Sequence, residues 1–413
     1  MHRLTNPVRN YAWGSRSHIP KLCGLPIGDE PVAEMWFGAH PADPSCVEDG
    51  RGLDDLIAEA PETMLGPRVA GSFGGRLPFL MKLLAASEPL SLQVHPTSEQ
   101  ARIRFAEQNA AGIPLDAPER SYRDASHKPE LIYALTRFEG MAGFRDTSKT
   151  AVILRLLELP WLDEIAAELE DSLTPFQTLR HIVTELLAMS GAGLKDRLQQ
   201  LHTAANEAED RAHNPRVRRR PPDVEPSSVE RESIRVFAQT RSLIDQYPED
   251  PGVLVTLLLN HVVLAAGEAM FIAPGTIHAY TWGFGLEIMA ASDNVLRAGL
   301  TPKYVDIPEL LETANFTPIP PPRWQGARLV DADGVVLSPP VGEFELVVTE
   351  VHAEATTDNV RPMIILCLDG SVHVSSQQAT KTIAKGEGLF VEYGDGRVTL
   401  TGDGRVALGR TPV

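Results

Sequence analysis

The hydrophobic period changes twice along the chain. From residue 1 to about 145, short apolar runs alternate with Pro and Gly, as in Leu77-Pro78-Phe79-Leu80-Met81-Lys82-Leu83-Leu84 and Pro89-Leu90-Ser91-Leu92-Gln93-Val94-His95-Pro96. In the second run Leu90, Leu92 and Val94 alternate with Ser91, Gln93 and His95. Such alternation predicts a strand with one apolar and one polar face. From about 147 to 258 the spacing becomes helical. Thr174-Pro175 supplies an N-cap followed by proline at the first helical position, and Phe176, Leu179, Ile182, Val183, Leu186 and Leu187 follow at helical intervals. Ile234, Phe237, Leu243 and Ile244 predict another helix. Between these helices, near 208–230, Asn214-Pro215-Arg216-Val217-Arg218-Arg219-Arg220-Pro221-Pro222-Asp223 reads as an exposed loop whose arginines are solvated.

From about 259 the strand pattern returns and runs to the end. It contains a short repeat: Gly267-Glu268-Ala269-Met270-Phe271-Ile272 matches Gly386-Glu387-Gly388-Leu389-Phe390-Val391. Each copy reads as a turn into a buried strand. The first continues to Pro274-Gly275-Thr276-Ile277-His278-Ala279-Tyr280, whereas the second has no histidine. Two related β-barrels, only one of them with a metal, would read this way. The expected class is mainly β with an α insertion. The expected units are a metal-bearing domain of 1–146 and 259–320, a helical insertion of 147–258, and a metal-free β domain of 321–413.

A length of 413 residues with 43% hydrophobic content allows two or three domains and a large core. No apolar run reaches membrane-spanning length. Cys23, Cys46 and Cys367 are too scattered for a disulfide framework or a cysteine zinc site, and a cytoplasmic setting is expected. The net charge of −17 (38 − 55) opposes binding to nucleic acid or an anionic membrane. It leaves room for a small anion held by a few convergent cations.

Four segments carry candidate chemistry. Gln93 and His95 share one face of a strand. Glu130, in Ser126-His127-Lys128-Pro129-Glu130, enters the apolar run Leu131-Ile132-Tyr133-Ala134-Leu135, where a carboxylate needs a partner. The Pro274-Gly275 turn leads to His278 and Tyr280 on one strand face. Taken alone, Gln93 with His95 is better explained by a polar rim, and Glu130 by a salt bridge. Together, one amide, two imidazoles and one carboxylate suit a divalent ion with an open position, zinc first and iron or manganese also. The fourth segment, Ser292-Asp293-Asn294-Val295-Leu296-Arg297-Ala298-Gly299-Leu300-Thr301-Pro302-Lys303, offers Arg297 and Lys303 as phosphate ligands.

With these segments assembled, the chain resembles the type I mannose-6-phosphate isomerases, also called phosphomannose isomerases. The resemblance rests on Tyr11-Ala12-Trp13-Gly14-Ser15, Ala33-Glu34-Met35-Trp36-Phe37-Gly38-Ala39-His40-Pro41, Leu77 to Lys82, Ser91 to Pro96, His127 to Glu130, Ile277 to Tyr280, and the long motif from Ser292 to Lys303. It implies a cupin fold, two jelly-roll barrels with a helical domain inserted, and one zinc ion on Gln93, His95, Glu130 and His278. It places an active-site arginine on Arg297. It implies interconversion of mannose 6-phosphate and fructose 6-phosphate. One departure is Thr281-Trp282, where Trp282 is expected to reshape the pocket wall.

Aldose–ketose isomerisation through an enediol needs a base near C1 and C2 and an electrophile for the oxyanion. Lys128 is the first candidate base, with His127 and Glu287 as rivals, and His127 or Tyr280 can serve ring opening. Ser91, Lys82 and Lys303 are candidates for holding the phosphate, Lys303 foremost. A monomer is expected. Two other readings compete: an iron-dependent oxygenase using His95, His278 and Glu130, or a non-catalytic sugar-binding cupin. An oxygenase would consume oxygen. A binding module would lack Arg297 or the base, and the chain keeps Arg297, Lys128 and Glu287.

Overall fold

Two antiparallel sheets, of ten and nine strands among the described residues, carry the β content of this computed structural model. The structure describes residues 1–413 except 214–226, 331, 353, 357–360 and 413. The ten-stranded sheet holds Glu34–Gly38, Phe79–Ala86, Leu92–Val94, Glu130–Phe144, Leu259–Leu264, Ala269–Ile272, His278–Ala290 and Leu296–Gly299, with short strands at its edges. The nine-stranded sheet centres on Met363–Ser375 and Thr399–Arg410. Both strand paths are open. The expected pair of barrels is therefore seen at a coarser level, as two antiparallel sheets with helices.

The sheets pack face to face. Met81, Leu83, Leu286 and Ile288 from one share a buried cluster with Leu346, Ile364, Leu366 and Ala407 from the other. Burying a side chain of this size stabilises the fold by about 1.5–3 kcal/mol. Gly409 permits the approach, since a Cβ there would lie 2.2 Å from Met81 Sδ. Strand parity then sends Lys82 and Glu287 to the opposite face of the first sheet. Packing of the apolar half of each strand thus decides where its polar half points.

Strand pairing crosses the expected boundaries at both ends. Arg323–Trp324, assigned from sequence to the C-terminal unit, pairs with Ala269 and Met270 in the ten-stranded sheet. His2–Leu4 pairs with Gly388 to Phe390 in the nine-stranded sheet.

The sequence repeat is a structural repeat. Ala269–Ile272 and Gly388–Val391 are both buried strands. Gly267 and Gly386 both adopt left-handed φ, 92° and 84°. The Gly267 N–H donates to Ala134 O at 2.9 Å, and the Gly386 N–H to Cys367 O at 2.8 Å. Glu268 accepts from the Ala265 N–H at 2.7 Å, and Glu387 from the Ala384 N–H at 2.8 Å. Each glutamate closes its turn by accepting a backbone N–H three residues before it.

Helices occupy the insertion, including Pro175–Leu187, Gly191–His213 and Ser228–Gln246. Pro175 takes the first helical position, but Thr174 makes no side-chain cap. The loop expected near 208–230 is narrower, because helix reaches His213 and resumes at Ser228; its arginines lie outside the described residues. Leu179, Ile182 and Val183 share one core with Leu92, Val94, Ile277 and Ala279. The insertion thus packs directly behind the strands that carry Gln93 and His278. Phe176 is 42% exposed and leans edge-on against Phe316 instead of entering that core.

His261 is buried at this junction. Burial, reinforced by the Arg145 charge, pushes its imidazole down to about 3. An unfolded histidine titrates near ~6.5. Between these values the unfolded chain binds a proton that the folded chain refuses. The stability contribution is complete above about pH 6.5 and is lost as pH falls toward 3, at about 1.4 kcal/mol per pH unit. The urea midpoint is expected to fall on acidification from pH 6.5 to 4.5, with a shallower slope in His261→Asn. Equal slopes for the two proteins would show that another group dominates.

Candidate metal and anion site

Cross-strand register brings the candidate ligands together. Gln93 pairs with His278 on one side and with Arg297 on the other. Gly275 adopts φ 83°, and its N–H donates to His95 O at 2.8 Å. The Pro274-Gly275 turn therefore folds back onto His95 just before the chain reaches His278. Glu130 opens its strand opposite Ile272 and Met289.

His95, Glu130 and His278 form a fully buried group whose ligand atoms lie within 4.8 Å of one another. His95 Nε2 is 3.2 Å from Glu130 Oε1, and His278 Nε2 is 3.2 Å from Glu130 Oε2. Each imidazole donates its Nδ1–H to a backbone carbonyl, His95 to Asn294 at 2.7 Å and His278 to Thr276 at 3.0 Å. That tautomer turns both Nε2 lone pairs inward. Buried His95 Nε2 and Glu130 Oε2 have no hydrogen-bond partner. Buried polar atoms are normally paired, so convergent orphans fit a cation. The Gln93 amide nitrogen lies 3.3 Å from His278 Nε2, and a half-turn of the amide brings its oxygen to the same place.

The electrostatics agree. Burial opposes ionisation of Glu130, yet Lys128 and then His95 hold its carboxyl well below the usual range. Lys128 Nζ is 2.9 Å from Glu130 Oε1. Burial, then the Lys128 charge, lowers His95 to about 4. Both groups thus keep the forms that ligate a divalent ion.

A cleft of about 310 Å³ opens over this cluster, with Lys82, Lys128, Tyr280, Glu287, Arg297 and Lys303 among its lining residues. Lys82 Nζ lies 3.4 Å from Glu287 Oε2 and over the Trp36 ring. Burial, then the Glu130 charge, raises Glu287 to about 7. The buried Tyr280 hydroxyl has no hydrogen-bond partner. Arg297 is held below the usual guanidinium value by burial and by Arg123, and Lys303 by burial and by both arginines. Among the described residues none of these three cations forms an ion pair. Unpaired, mutually repelling cations in a cleft suit an anionic ligand.

Other candidates fall elsewhere. His127 Nε2 pairs with Glu343 Oε1 at 2.7 Å, and the residue does not line the cleft. It ties the Lys128 segment to the bend that leads into the strand Glu345–Val351. Ser91 is also absent from the lining, and Trp282 is 42% exposed away from it. Sequence reasoning missed Glu34 and Arg123, both in the lining. Glu34 left a signal, a carboxylate inside the apolar strand Glu34–Gly38, where its Oε2 accepts from Trp36 Nε1 at 2.7 Å. Arg123 left none, because it sits in an irregular polar segment.

Fold and site together define a protein built to hold a metal ion, in which buried imidazole and carboxylate donors face a small cationic cleft. The family model for the phosphomannose isomerase type I catalytic domain matches residues 1–147. Mannose-6-phosphate isomerase of Escherichia coli strain K12 is 37% identical over 412 residues, covering 97% of each chain. The Homo sapiens enzyme of that name is 32% identical, covering 94% of this chain and 92% of its own. A solved mannose 6-phosphate isomerase from Salmonella typhimurium, bound to substrate and a zinc atom, superposes over the full length of both chains with a TM-score of 0.86 at 35% identity. The chain belongs to the mannose-6-phosphate isomerase family.

Proposed function

We propose that this chain interconverts mannose 6-phosphate and fructose 6-phosphate with one zinc ion held by His95, Glu130, His278 and the Gln93 amide. The observation that carries this reading is the pair of orphaned buried atoms, His95 Nε2 and Glu130 Oε2, beneath a cleft with three unpaired cations. Zinc, when bound, supplies a Lewis acid beside the substrate oxygens.

The chain's own groups do the rest. Arg123, Arg297 and Lys303 bind the phosphate, Arg by a planar fork and Lys as a point charge. Lys82 and Lys128 stay in the cleft wall, each anchored to a carboxylate. Glu287 is the group best matched to moving a proton between C1 and C2, since its carboxyl sits near about 7. The Tyr280 hydroxyl is free to donate to a sugar oxygen during ring opening. His127 is committed to Glu343 and takes no part in this reading.

We also propose the finer architecture. The matched turns at Gly267 and Gly386 support two related cupin-like jelly rolls, the first bearing the metal. The units are 1–146 with 259–320, the insertion 147–258, and the metal-free 321–413, with the edge strands His2–Leu4 and Arg323–Trp324 exchanged between the two sheets. No helix among the described residues is long and apolar enough to cross a membrane. A cytoplasmic monomer is the simplest setting for the enzyme.

A coupled assay of mannose 6-phosphate turnover, with metal content measured on the same sample, tests the reading. Chelation is expected to remove about one ion per chain and nearly all turnover, and zinc to restore both. Undiminished turnover without metal would overturn it, as would oxygen uptake in place of isomerisation.

A further inference from the structure

Asn294 touches both halves of the site, and the mechanism above leaves it without a role. Its backbone carbonyl accepts from His95 Nδ1 at 2.7 Å. Its side-chain Oδ1 accepts from the Arg123 N–H at 2.7 Å and the Asp124 N–H at 3.2 Å. Its Nδ2 donates to the carbonyls of Asp124 and Ser126 at 2.9 and 2.8 Å. Asp124 answers from the other side. Its carboxylate accepts from Ser292 Oγ at 2.9 and 3.0 Å and from the Asp293 N–H at 2.9 Å. Ser292 and Asn294 are completely buried.

These bonds join two segments that lie in neither helix nor strand, 121–129 and 291–295. The ladder fixes only their bases, where Glu130 pairs with Met289 and the Ala290 N–H donates to Pro129 O at 3.1 Å; beyond that point the side-chain bonds above hold the two segments together. The first segment carries Arg123. The second leads straight into the strand Leu296–Gly299, which bears Arg297, and on to Lys303. The same asparagine, through its carbonyl, orients the imidazole of a metal ligand. A displacement of the clasp would therefore change the distance from the metal donors to the cations.

We infer that Asn294 and Asp124 are positioning residues that set the span between metal and phosphate, and so select the length of the sugar phosphate. This rests on the function proposed above for the same site. On this inference, a closed clasp disfavours a ligand one carbon shorter, which has less span between its metal-facing oxygens and its phosphate. Because a fully buried asparagine satisfying two backbone N–H groups and two carbonyls has no slack, small losses there should be read at the cations.

The variants are Asp124→Asn, which keeps the shape and removes the charge, and Asn294→Ala. KM for mannose 6-phosphate is expected to rise about tenfold, with kcat within about threefold and metal content unchanged. The preference for the six-carbon substrate over a five-carbon aldose phosphate should narrow. The dissociation constant of inorganic phosphate, measured by calorimetry on the zinc-loaded protein, should rise in parallel. Arg123→Ala placed on Asp124→Asn should add little beyond either change alone, since both act at one cation. A lower unfolding midpoint with KM, chain-length preference and phosphate binding all unchanged would overturn the inference. So would loss of metal and kcat at constant KM, which would put the effect on His95. The calorimetric result stands apart from turnover: a protein that binds phosphate through the clasp but does not isomerise would defeat the functional reading and sustain this one.

Discussion

Glu130→Gln is expected to strip the metal on dialysis and to lower kcat/KM by about a thousandfold or more, equivalent to about 4 kcal/mol at the transition state. The carboxylate is the only anionic member of the His95–Glu130–His278 group. It also faces Lys128 at 2.9 Å in a setting where both side chains are nearly inaccessible. The amide keeps the shape and removes the charge. The ammonium of Lys128 then repels an incoming dication with nothing between them. Breaking one side of such a buried pair costs about 3–5 kcal/mol even before metal binding is considered. Elemental analysis after dialysis, together with steady-state kinetics, checks both parts. A variant that retains stoichiometric metal and near-normal turnover would show that Glu130 is a structural ion-pair partner and not a ligand.

Arg145→Met is expected to lower the unfolding free energy by about 3–5 kcal/mol while leaving the activity of the folded fraction unchanged. Arg145 is 1% exposed, at the end of the strand Glu130–Phe144. Its Nε donates to Glu232 Oε1 at 2.8 Å, and its Nη1 to Leu257 O at 2.8 Å. Its Nη2 donates to Leu259 O. One guanidinium thus ties the catalytic sheet to the helix Ser228–Gln246 and to the return into the strand Leu259–Leu264. Methionine fills much of the volume and satisfies none of the three acceptors, of which Glu232 is charged. Urea titration followed by circular dichroism gives the change. A loss below about 1 kcal/mol would mean that water reaches these acceptors and replaces the guanidinium.

Much of this was legible in the chain because strand parity is strict. Alternation in Leu90 to His95 put Gln93 and His95 on one face, and Leu92 and Val94 are indeed fully buried on the other. The helical period of residues 175–187 survives as a helix with Leu179, Ile182 and Val183 inside. The repeated Gly-Glu turn was readable because a left-handed glycine and a glutamate accepting a backbone N–H are both local demands. What was not legible depended on distant partners. Nothing beside His127 predicts Glu343, more than two hundred residues away, as its partner. Its motif neighbours made it a candidate for catalysis, and tertiary packing sets it against Glu343. Arg123 and Asn294 owe their placement to a clasp between two irregular segments, where no period exists to be read. The exchange of edge strands between sheets was equally hidden, since two- and three-residue strands such as Arg323–Trp324 and His2–Leu4 carry no detectable pattern.

The paired turns at Gly267 and Gly386 imply an uneven mutational landscape. Both sheets obey the same hairpin rule, but among the described residues only the first follows its copy with a histidine of the buried imidazole–carboxylate group. Substitutions along His278–Ala290 will therefore show themselves as altered chemistry, often in protein that still folds. Equivalent changes along Thr399–Arg410, the strand that follows the second copy, will show themselves as lost yield or thermal tolerance, with the surviving molecules turning over normally. A deep mutational scan scored separately for abundance and for turnover should split along that line, one half of the molecule answering to selection for catalysis and the other to selection for folding.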